Sequence, residues 1–388
     1  MNVLMIHPHD LFACAEPWTI RIINIAKEFV KLNHKVRLCY FPLSFGEKNT
    51  KKIDSIEIFP LERRPTPISF LRNVKKLIEL AKWADVIHFQ KCHHYSAIPA
   101  VLAAYITGKP LHYDWDDWEE KIWYESCGKS LHSRFIGVSF KILERWLPVL
   151  ADSVSCSSNY LKKIAYKYGV KKEYIFDSPV GADLEKFRPD LNGSRVREKY
   201  DIKEHLVLYI GQLHGAQYVD LFIKAANIVL HKKPETTFMI VGEGFLRRKL
   251  ERLVQDLGIE NKVIFTGAVP HEEIPYYICA ADICVASFKK TEVTQCKSPL
   301  KIVEYLACGK PVVASLVGEV RSMVGGVGVL VEPGNHLNLA KAIIFLLENE
   351  EIRKELGKRA RKRVEYKYNW NFTAKSILSA YEKILNDP

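Results

Sequence analysis

The chain of 388 residues lacks the features that mark a membrane-spanning or disulfide-bonded protein. No apolar run approaches the roughly 18 residues needed to cross a bilayer. Its nine cysteines are scattered and form no C-x-x-C pair, which favours reduced thiols over a zinc or disulfide framework. The opening segment, MNVLMIHPHD, lacks the basic residues and long apolar core of a signal peptide and predicts a first strand instead. Together these absences predict a cytoplasmic protein.

Composition and charge indicate a globular protein with an anionic partner. Hydrophobic residues make up 48% of the chain and charged residues 26%, and the formal net charge is +12. This charge suits a nucleic acid, an anionic membrane or a phosphorylated substrate, so charge alone does not choose among them. The densest basic block, KELGKRARKRVEYKYNW, predicts a solvated helix face. The segment SRFIGVSFKILERWLPVL has the pattern of an amphipathic helix, which either lies on a membrane or packs against its own domain.

Short runs rich in Val and Ile alternate with longer helical patterns along the whole chain. The runs are NVLMI, KVRLCYF, DVIHF, KPLHYDW and DSVSC in the first half, and HLVLYIG, TTFMIVG, NKVIFTG, ADICVAS and KPVVAS in the second. Such alternation predicts α/β architecture with parallel sheets. A polar stretch with Gly181, Pro189 and Gly193 separates the two halves. We therefore predict two Rossmann-like, doubly wound domains facing a central cleft, because ligands bind beyond the carboxyl ends of parallel strands.

The stretch SPLKIVEYLACGKPVVAS predicts a short, well-bounded helix. Ser298 suits the N-cap, Pro299 the first helical position, and Gly309 the left-handed residue that ends a helix. Lys301 then lies in the first turn, where the helix dipole disfavours a cation by roughly 0.3–1 kcal/mol unless an anion is present. Free N–H groups beside a lysine form a site for phosphate, and Glu304 lies near enough to accept from a sugar hydroxyl. The alternative is an ion pair between Lys301 and Glu304 on a solvated face.

A series of motifs in the second half resembles a known family. The motifs are GADLEKFRP, GQLHGAQYVDLFIKAA, VGEGFLRRKLERL, VIFTGAVPHEEIPYYICAADICVAS, SPLKIVEYLACGKPVVAS and GVGVLVEPGNHLNLAKAI, from Gly181 to about Ile344. Their order resembles the C-terminal half of the retaining family-4 glycosyltransferases of the GT-B fold. The first half resembles this family more loosely, through HKVRLCYF, ADVIHFQ, GKPLHYDWDD and ADSVSCSSNYLKK. The resemblance implies transfer of a sugar from a nucleotide-diphosphate donor, with retention of configuration and with no metal ion or other cofactor.

The resemblance also implies a set of donor-binding residues. Glu304 stands where the second glutamate of the family's Glu-x7-Glu pair holds the donor ribose. The backbone of Leu300 and Lys301 stands where the family binds the distal phosphate, and the base is expected beside Val269. The implied donor set is Gly211, Gln212, Gln217, Gly242, Val269, Ser298, Leu300, Lys301 and Glu304. Arg21 resembles an arginine that reaches a phosphate in the family, and its alternative role is an exposed helix charge.

Several positions depart from the family pattern. Cys296 stands eight positions before Glu304, where the family has its first glutamate. Gln212 and Gln217 replace the arginine and lysine that clamp the diphosphate, and loss of one such contact can lower a rate by roughly 10²- to 10³-fold. The cations considered as compensation are Lys301, Lys297 and Arg247. The segment HPHDLFACAEPW also has no glycine where the family has a glycine-rich loop.

The implied catalytic residues are Asp116, Lys301 and Glu304. Asp116 aligns with a family position that carries a catalytic-site His or Asp, where it would orient the acceptor hydroxyl or support positive charge at the sugar carbon. A rival interpretation treats Asp114, Asp116 and Asp117 as the Asp-x-Asp metal site of another glycosyltransferase fold. The two-domain pattern argues against that fold, so we predict no metal site.

These inferences define one overall prediction. The N-terminal acceptor-side domain covers residues 1–180, a linker 181–195, the donor-binding domain 196–369, and a C-terminal helix 370–388 packs back towards the first domain. The partners are a nucleotide sugar and a lipid-linked, glycan or other hydroxyl acceptor in glycan or cell-envelope biosynthesis, with no nucleic acid. Peripheral contact with an anionic membrane at its inner face stays open. The alternatives are an unusual donor, or a catalytically silent scaffold that binds sugars or another subunit.

Overall fold

The computed structural model describes residues 1–13, 16–43, 51–126 and 130–387. The chain forms two compact units. The first comprises Met1–Val180, Cys296–Ser298 and Trp370–Pro388, and the second comprises Gly181–Gln295 and Pro299–Asn369. Both units are α/β, as predicted, and each is built on one sheet.

The two sheets contain eight and six strands, in the orders β3-β4-β2-β1-β5-β6-β7-β8 and β11-β10-β9-β12-β13-β14. The strands of the first sheet are β1 (Asn2–Ile6), β2 (Lys35–Tyr40), β3 (Lys51–Ile53), β4 (Ile56–Pro60), β5 (Val86–Gln90), β6 (Leu111–Trp115), β7 (Ser153–Cys156) and β8 (Ile175–Asp177). Those of the second are β9 (Leu206–Ile210), β10 (Thr237–Val241), β11 (Val263–Gly267), β12 (Ile283–Ala286), β13 (Val312–Ser315) and β14 (Val329–Val331). Every pairing is parallel except that of β3 with β4.

The helices follow the strands in the alternation that the sequence predicts. In the first half they are α1 (Pro17–Lys31), α2 (Pro67–Ala81), α3 (His94–Thr107), α4 (Glu119–Ser126), α5 (Leu131–Leu150) and α6 (Asn159–Lys167). In the second they are α7 (Ser194–Lys199), α8 (Val219–Lys232), α9 (Arg247–Asp256), α10 (Ile274–Ala280), α11 (Glu292–Cys296), α12 (Leu300–Ala307), α13 (Val320–Val324), α14 (His336–Glu348), α15 (Glu350–Tyr366) and α16 (Trp370–Asn386). Within the described residues, no helix is both long enough and apolar enough to span a bilayer.

Local sequence explains where several helices begin and end. The side chain of Ser130 accepts from the Ser133 N–H at the start of α5, and Ser158 accepts from the Leu161 N–H at the start of α6. A side-chain cap of this kind typically contributes about 1 kcal/mol. Just after α12, Gly309 has φ +64°, a conformation that glycine adopts with little strain.

All ten strands predicted from apolar runs are present, with ends shifted by at most two residues. Four strands were not predicted from the sequence: β3, β4, β8 and β14. Of these, β3, β8 and β14 are edge strands of three residues, and their burial is only partial. Continuous apolar runs are typical of strands that are buried on both faces. Short edge strands have no such run, so the pattern does not predict them.

The start of α12 differs from the prediction. The helix begins at Leu300, and Pro299 occupies the N-cap position without a side-chain cap. Ser298 belongs to the first unit, where its hydroxyl lies 3.4 Å from the Val180 backbone nitrogen and accepts from it. The prediction that Ser298 caps this helix was therefore wrong.

The segment predicted as a linker, 181–195, packs within the second unit. A Cβ atom on Gly193 would lie 2.4 Å from the Ala280 backbone nitrogen, so only glycine allows this approach to α10. The last helix, α16, belongs to the first unit and packs on α1, β7 and β8.

Candidate functional site

In the second unit, two glycines and a lysine meet where β9 and β10 end. Gly211 has φ +151° and Gly242 has φ +142°, which are backbone conformations that other residues rarely adopt. A Cβ atom on Gly242 would lie 2.0 Å from the Gly211 carbonyl oxygen, and one on Gly211 would lie 2.4 Å from Lys301 Nζ. The two turns therefore approach each other closely, and the Lys301 ammonium lies against the first of them.

Tyr209 and Gln217 contact the Lys301 ammonium. Its Nζ atom donates to the Tyr209 hydroxyl at 3.0 Å and to Gln217 Oε1 at 3.1 Å, and it lies 4.2 Å from the centre of the Tyr209 ring. Burial raises the pKa of Tyr209, so its phenol stays neutral at physiological pH. These contacts orient the ammonium. The arrangement offers a cation beside the first turn of α12 and the glycine turn.

Glu304, one turn further along α12, contacts a histidine. His271 Nε2 lies 2.7 Å from Glu304 Oε1, and Lys186 Nζ lies 2.9 Å from His271 Nδ1. A lysine ammonium can only donate, so Nδ1 accepts and Nε2 carries the proton that it donates to the carboxylate. Glu304 is 4% exposed, and among the described residues its Oε2 atom makes no hydrogen bond. The histidine thus orients a carboxylate whose second oxygen stays available, in place of the ion pair with Lys301 considered above.

Other predicted donor residues lie in different surroundings. Gln212 is exposed and contacts His214, with Oε1 lying 3.1 Å from Nε2, whereas Gln217 is half-buried and contacts Lys301. Leu300 is buried at the start of α12, and Val269 is half-buried just after β11. The structure therefore gathers Gly211, Gly242, Gln217 and Lys301, and it directs Gln212 to solvent.

Of the cations considered as compensation, Arg247 already has anionic partners. It forms ion pairs with Glu243 at 2.5 Å and with Glu251 at 2.8 Å, at the start of α9. Lys297 belongs to the first unit. Within the second unit, Lys301 is therefore the member of this set that remains beside the glycine turns.

Cys296 is buried in an apolar environment. It is 1% exposed and belongs to the hydrophobic core cluster of the first unit. A thiol in such surroundings provides neither the charge nor the hydrogen-bonding capacity of the glutamate found at this place in the family pattern.

In the first unit, Arg21 and Asp114 form a buried ion pair. Arg21 Nε and Nη2 donate to the two carboxylate oxygens at 2.7 Å each, and both side chains are at most 3% exposed. Arg21 also donates to the Ser178 carbonyl at 2.9 Å, and Ser155 Oγ donates to Asp114 at 2.7 Å. Burial alone would raise the pKa of Asp114, but the Arg21 guanidinium lowers it well below its usual range. The alternative interpretation of Arg21 as an exposed charge on a helix is thus wrong. Its role in binding a phosphate stays a prediction, and the ion pair with Asp114 disfavours it.

A second polar cluster surrounds Lys91, directly after β5. Lys91 is 4% exposed and has φ +63°, which is uncommon for a residue other than glycine. Its Nζ atom lies 3.2 Å from Asp116 and 3.5 Å from Asp117, and it contacts Glu119 closely. It also lies 4.9 Å from the centre of the Trp18 ring. A strained conformation with three carboxylates around one ammonium is typical of functional sites rather than of ordinary loops.

The acidic residues of this cluster have the spacing of a cation site. Oxygens of Asp116, Asp117 and Glu119 all lie within 4.8 Å of one another. The Lys91 ammonium contacts all three carboxylates, and Asp114 is paired with Arg21. Lys91 and Arg21 are thus the cationic partners of these carboxylates. That the protein requires no metal ion stays a prediction.

Replacing Asp116 by asparagine is expected to flatten the dependence of stability on pH between about pH 4 and pH 7. Burial raises the pKa of Asp116 from 3.8 to about 7, the Lys91 ammonium opposes this shift, and Asp117 adds to it. A carboxyl with a raised pKa in the folded state favours folding less as pH rises through this window. The melting temperature should therefore fall more steeply with pH in the wild type than in Asp116→Asn. Parallel curves for the two proteins, with Asp256→Asn as an exposed control, would contradict this.

The sequence did not single out several residues that organise these sites. In the second unit they are Tyr209, Lys186 and His271. In the first they are Lys91 and Trp18, Gln90, which donates to Asp116 at 3.0 Å, and His7, which lies 2.8 Å from Gln90. Glu144, which accepts from the Glu119 N–H, also belongs to this group. Many of them lie at or just beyond the carboxyl end of a strand, where parallel sheets place their ligands. That positional rule is the signal that would have found them.

Comparison with known proteins shows two family matches, one in each half of the chain. The model described as Glycosyltransferase Family 4 matches residues 19–186, and the model described as Glycosyl transferases group 1 matches residues 194–363.

Individual proteins with related sequences or folds are also known. The alpha-D-kanosaminyltransferase of Streptomyces kanamyceticus is 28% identical over 206 residues, which cover 52% of this chain and 51% of that protein. The GDP-mannose-dependent alpha-(1-6)-phosphatidylinositol monomannoside mannosyltransferase of Mycolicibacterium smegmatis is 31% identical over 173 residues, 43% of this chain and 45% of that protein. The chain thus spans about half the length of these curated relatives. The crystal structure of Anabaena HepE in complex with UDP has the same fold, with a TM-score of 0.75, 19% identity and coverage of 99% of this chain and 100% of that one.

Proposed function

Because the chain belongs to the family-4 glycosyltransferases of the GT-B fold, we propose that it transfers a sugar from a nucleotide-diphosphate donor to a hydroxyl acceptor. The observation that carries this proposal is the position of Lys301. This residue lies in the first turn of α12, and its ammonium lies against Gly211, in the glycine turn that follows β9. An anion at this place would meet the Lys301 ammonium and the N–H groups of a helix N-terminus.

We assign the parts of the donor to the second unit as follows. The diphosphate lies against Gly211, Lys301 and the Leu300 backbone. Glu304, oriented by His271, accepts hydrogen bonds from the ribose hydroxyls through its available oxygen. The base lies beside Val269, after β11. Each part then meets a group of matching chemistry: a cation for phosphate, a carboxylate for a diol, and an apolar surface for a planar ring.

The chemical step breaks the bond between the sugar carbon and the diphosphate and forms a bond to the acceptor oxygen, which loses its proton. Negative charge grows on the departing diphosphate, so a fixed ammonium accelerates this step. Lys301 takes the role that the replaced cations at Gln212 and Gln217 have in the family. Asp116 is assigned to the acceptor hydroxyl or to the positive charge at the sugar carbon. Retention of configuration and independence of metal ions and other cofactors are part of the proposal.

Relatives indicate which donors and acceptors to test first. The mycobacterial relative is named for GDP-mannose and for a phosphatidylinositol glycolipid, and the cyanobacterial protein was crystallised with UDP. We therefore propose a UDP- or GDP-linked sugar as donor and a lipid-linked or carbohydrate acceptor, used in glycan or cell-envelope biosynthesis in the cytoplasm.

The test is release of nucleoside diphosphate from a panel of UDP-, GDP- and ADP-sugars, measured with and without glycolipid and oligosaccharide acceptors. The proposal predicts that one donor is consumed and that an acceptor stimulates its consumption. If nucleotides bind but none of these sugars is consumed with any acceptor, the proposal of transfer fails for this panel.

One set of observations favours a silent scaffold as the second candidate. Gln212 faces solvent and Cys296 is buried among apolar side chains, so two family positions lack their usual charge. A protein of this kind would bind nucleotide sugars without transfer, or would bind another subunit. Binding without turnover supports this candidate.

Replacing Glu304 by glutamine is expected to weaken nucleotide binding by about 10- to 100-fold, because hydrogen bonds to a charged group contribute roughly 1.5–3 kcal/mol. The wild type should also bind a nucleoside diphosphate more tightly than its 2′-deoxy form. Titration calorimetry of both ligands measures this difference, with Glu251→Gln as a control from the same unit. If Glu304→Gln still prefers the ribose form as strongly as the wild type, the carboxylate does not bind ribose.

A further inference from the structure

One face of α5, the longest helix of the described chain, carries a continuous row of exposed apolar side chains. Phe135 is 74% exposed and Trp146 is 57% exposed. The row continues along the full helix and consists of Leu131, Phe135, Val138, Ile142, Trp146, Val149 and Leu150. Spacings of three and four residues place these side chains on one side of the helix.

The opposite face of α5 is already packed, so the exposed row is not a core face that has lost its cover. Phe140 and Leu147 belong to the hydrophobic core cluster of the first unit. Glu144, which is 1% exposed, accepts from the Glu119 N–H at 2.7 Å and from the Glu120 N–H at 2.9 Å. These contacts fix α5 to the start of α4, and the exposed row lies on the other side of the helix.

The outer face of α5 also carries positive charge and no negative charge. Its exposed charged residues are Arg134, Lys141 and Arg145, and the one acidic residue of the helix, Glu144, is buried. Arg145 donates to the Tyr168 carbonyl at 2.9 Å. In the described part of the chain, none of the three cations forms an ion pair with a carboxylate.

Helix α15 shows the usual arrangement of a basic helix that faces water. Three of its seven cations are paired with carboxylates one turn away, Lys354 with Glu350 at 2.9 Å, Arg359 with Glu355 at 2.7 Å and Arg361 with Glu365 at 2.7 Å. This agrees with the solvated helix face predicted for that basic block. The outer face of α5 differs from this arrangement. Its cations have exposed apolar side chains beside them, and among its described residues it has no exposed acidic side chain.

We propose that the outer face of α5 docks on the surface of an anionic lipid bilayer. A helix of 20 residues is about 30 Å long and lies in the plane of the interface, with its apolar row among the acyl chains and its cations beside lipid phosphates. A protein partner would need acidic side chains to match the three cations, and a second copy of this face would bring like charges together. An anionic bilayer satisfies the apolar and the basic side chains at once.

This surface deepens the proposed function by specifying how a lipid-linked acceptor meets the enzyme. Glu144 on the inner side of α5 holds the backbone of Glu119, whose carboxylate contacts Lys91 beside Asp116. The docked helix is thus joined to the polar cluster assigned to the acceptor. The inference about the acceptor depends on the proposed function, whereas the docking itself does not.

The test is co-sedimentation of the full chain with vesicles of phosphatidylglycerol mixed with phosphatidylcholine, and with vesicles of phosphatidylcholine alone. The variant Phe135→Ser, Ile142→Ser, Trp146→Ser should bind the mixed vesicles at least about 100-fold more weakly. The charge variant Arg134→Gln, Lys141→Gln should bind them about 30-fold more weakly and lose the preference for anionic lipid.

Matched controls are available on other helices. Phe345→Ser, Ile352→Ser, Tyr366→Ser removes exposed apolar side chains of α14 and α15, and Lys358→Gln, Lys362→Gln removes the same charge from α15. Both controls should bind vesicles like the wild type. The α5 variants should have the same melting temperature as the wild type, and nucleotide should raise it by the same amount. A loss of vesicle binding then tests docking alone, whereas a loss of the nucleotide effect tests the proposed function.

Three results would overturn the proposal. One is a wild-type protein that does not sediment with anionic vesicles. Another is equal vesicle binding by the α5 variants and their controls. The third is self-association of the wild type, detected by light scattering without lipid, that the apolar α5 variant abolishes, because the face would then belong to a dimer.

Discussion

Replacing Lys301 by alanine is expected to lower the rate of sugar transfer by about 10²- to 10³-fold, which is the usual effect of removing one group that stabilises developing negative charge. The reason is the local arrangement of charge. Lys301 lies against the glycine turn, where Tyr209 and Gln217 orient its ammonium, and Arg247 is paired with two glutamates. The second unit therefore offers no equivalent cation at this turn among the residues considered.

The same variant distinguishes a phosphate-binding lysine from a structural one. Affinity for a nucleoside diphosphate should fall strongly, while affinity for the matching nucleoside should stay close to that of the wild type. Arg247→Gln is the control, since it removes a cation that already has anionic partners and should affect both affinities little. Equal losses for nucleoside and diphosphate in Lys301→Ala would mean that the lysine supports the structure and does not bind phosphate.

Replacing Arg21 by methionine is expected to destabilise the first unit by about 3–5 kcal/mol, because it leaves a buried carboxylate without its partner. Asp114 is fully buried and accepts two hydrogen bonds from Arg21. Its pKa in the folded state is lowered, so the pair stabilises the protein above about pH 4, and this contribution is lost as pH falls below that value. The loss caused by Arg21→Met should accordingly be largest near neutral pH and should shrink in acid.

Urea unfolding followed by circular dichroism measures this loss. The matched control is Arg72→Met, because Arg72 forms an exposed pair with Glu62 at 3.2 Å and such pairs contribute at most about 1 kcal/mol. A double variant, Arg21→Met with Asp114→Asn, should recover part of the stability, since it removes the unpaired charge. If Arg21→Met unfolds at the same urea concentration as Arg72→Met, the buried pair does not have the structural role assigned to it.

The prediction of the fold succeeded where sequence and burial correspond directly. β5 and β6 are buried along their full length, so each reads as one continuous run, and the runs of β9 and β10 end in the glycines at the close turn. The sequence did not predict β3, because this strand is mostly exposed and pairs only with β4 at the sheet edge. Ser298 was misplaced because its hydroxyl has a distant partner, Val180, which no local pattern reveals.

The sequence proposed Lys301 and Glu304 as site residues, and these roles stay predictions, but it proposed few of their contacts. Lys301 follows from a helix-dipole argument that depends on adjacent residues, and the ribose role of Glu304 follows from the family resemblance. His271 contacts Glu304 from 33 residues away, and Asp114 contacts Arg21 from 93 residues away. Such pairs form only when the fold brings distant segments together, so a single sequence carries little direct signal for them. Knowing that strand ends converge narrows the search without identifying the partners.

The central claim is that the second unit binds a nucleotide sugar through Lys301 and Glu304. It is tested most directly by a thermal-shift titration with UDP, GDP, ADP, CMP and their sugar conjugates, using Glu304→Ala and Lys301→Ala as controls. A ligand at about 100 times its dissociation constant stabilises the folded state by roughly 2.7 kcal/mol, so one base should stand out. We expect a selective shift in melting temperature that is lost in Glu304→Ala and reduced for diphosphates in Lys301→Ala. A flat panel, or a shift that both variants retain in full, would contradict it.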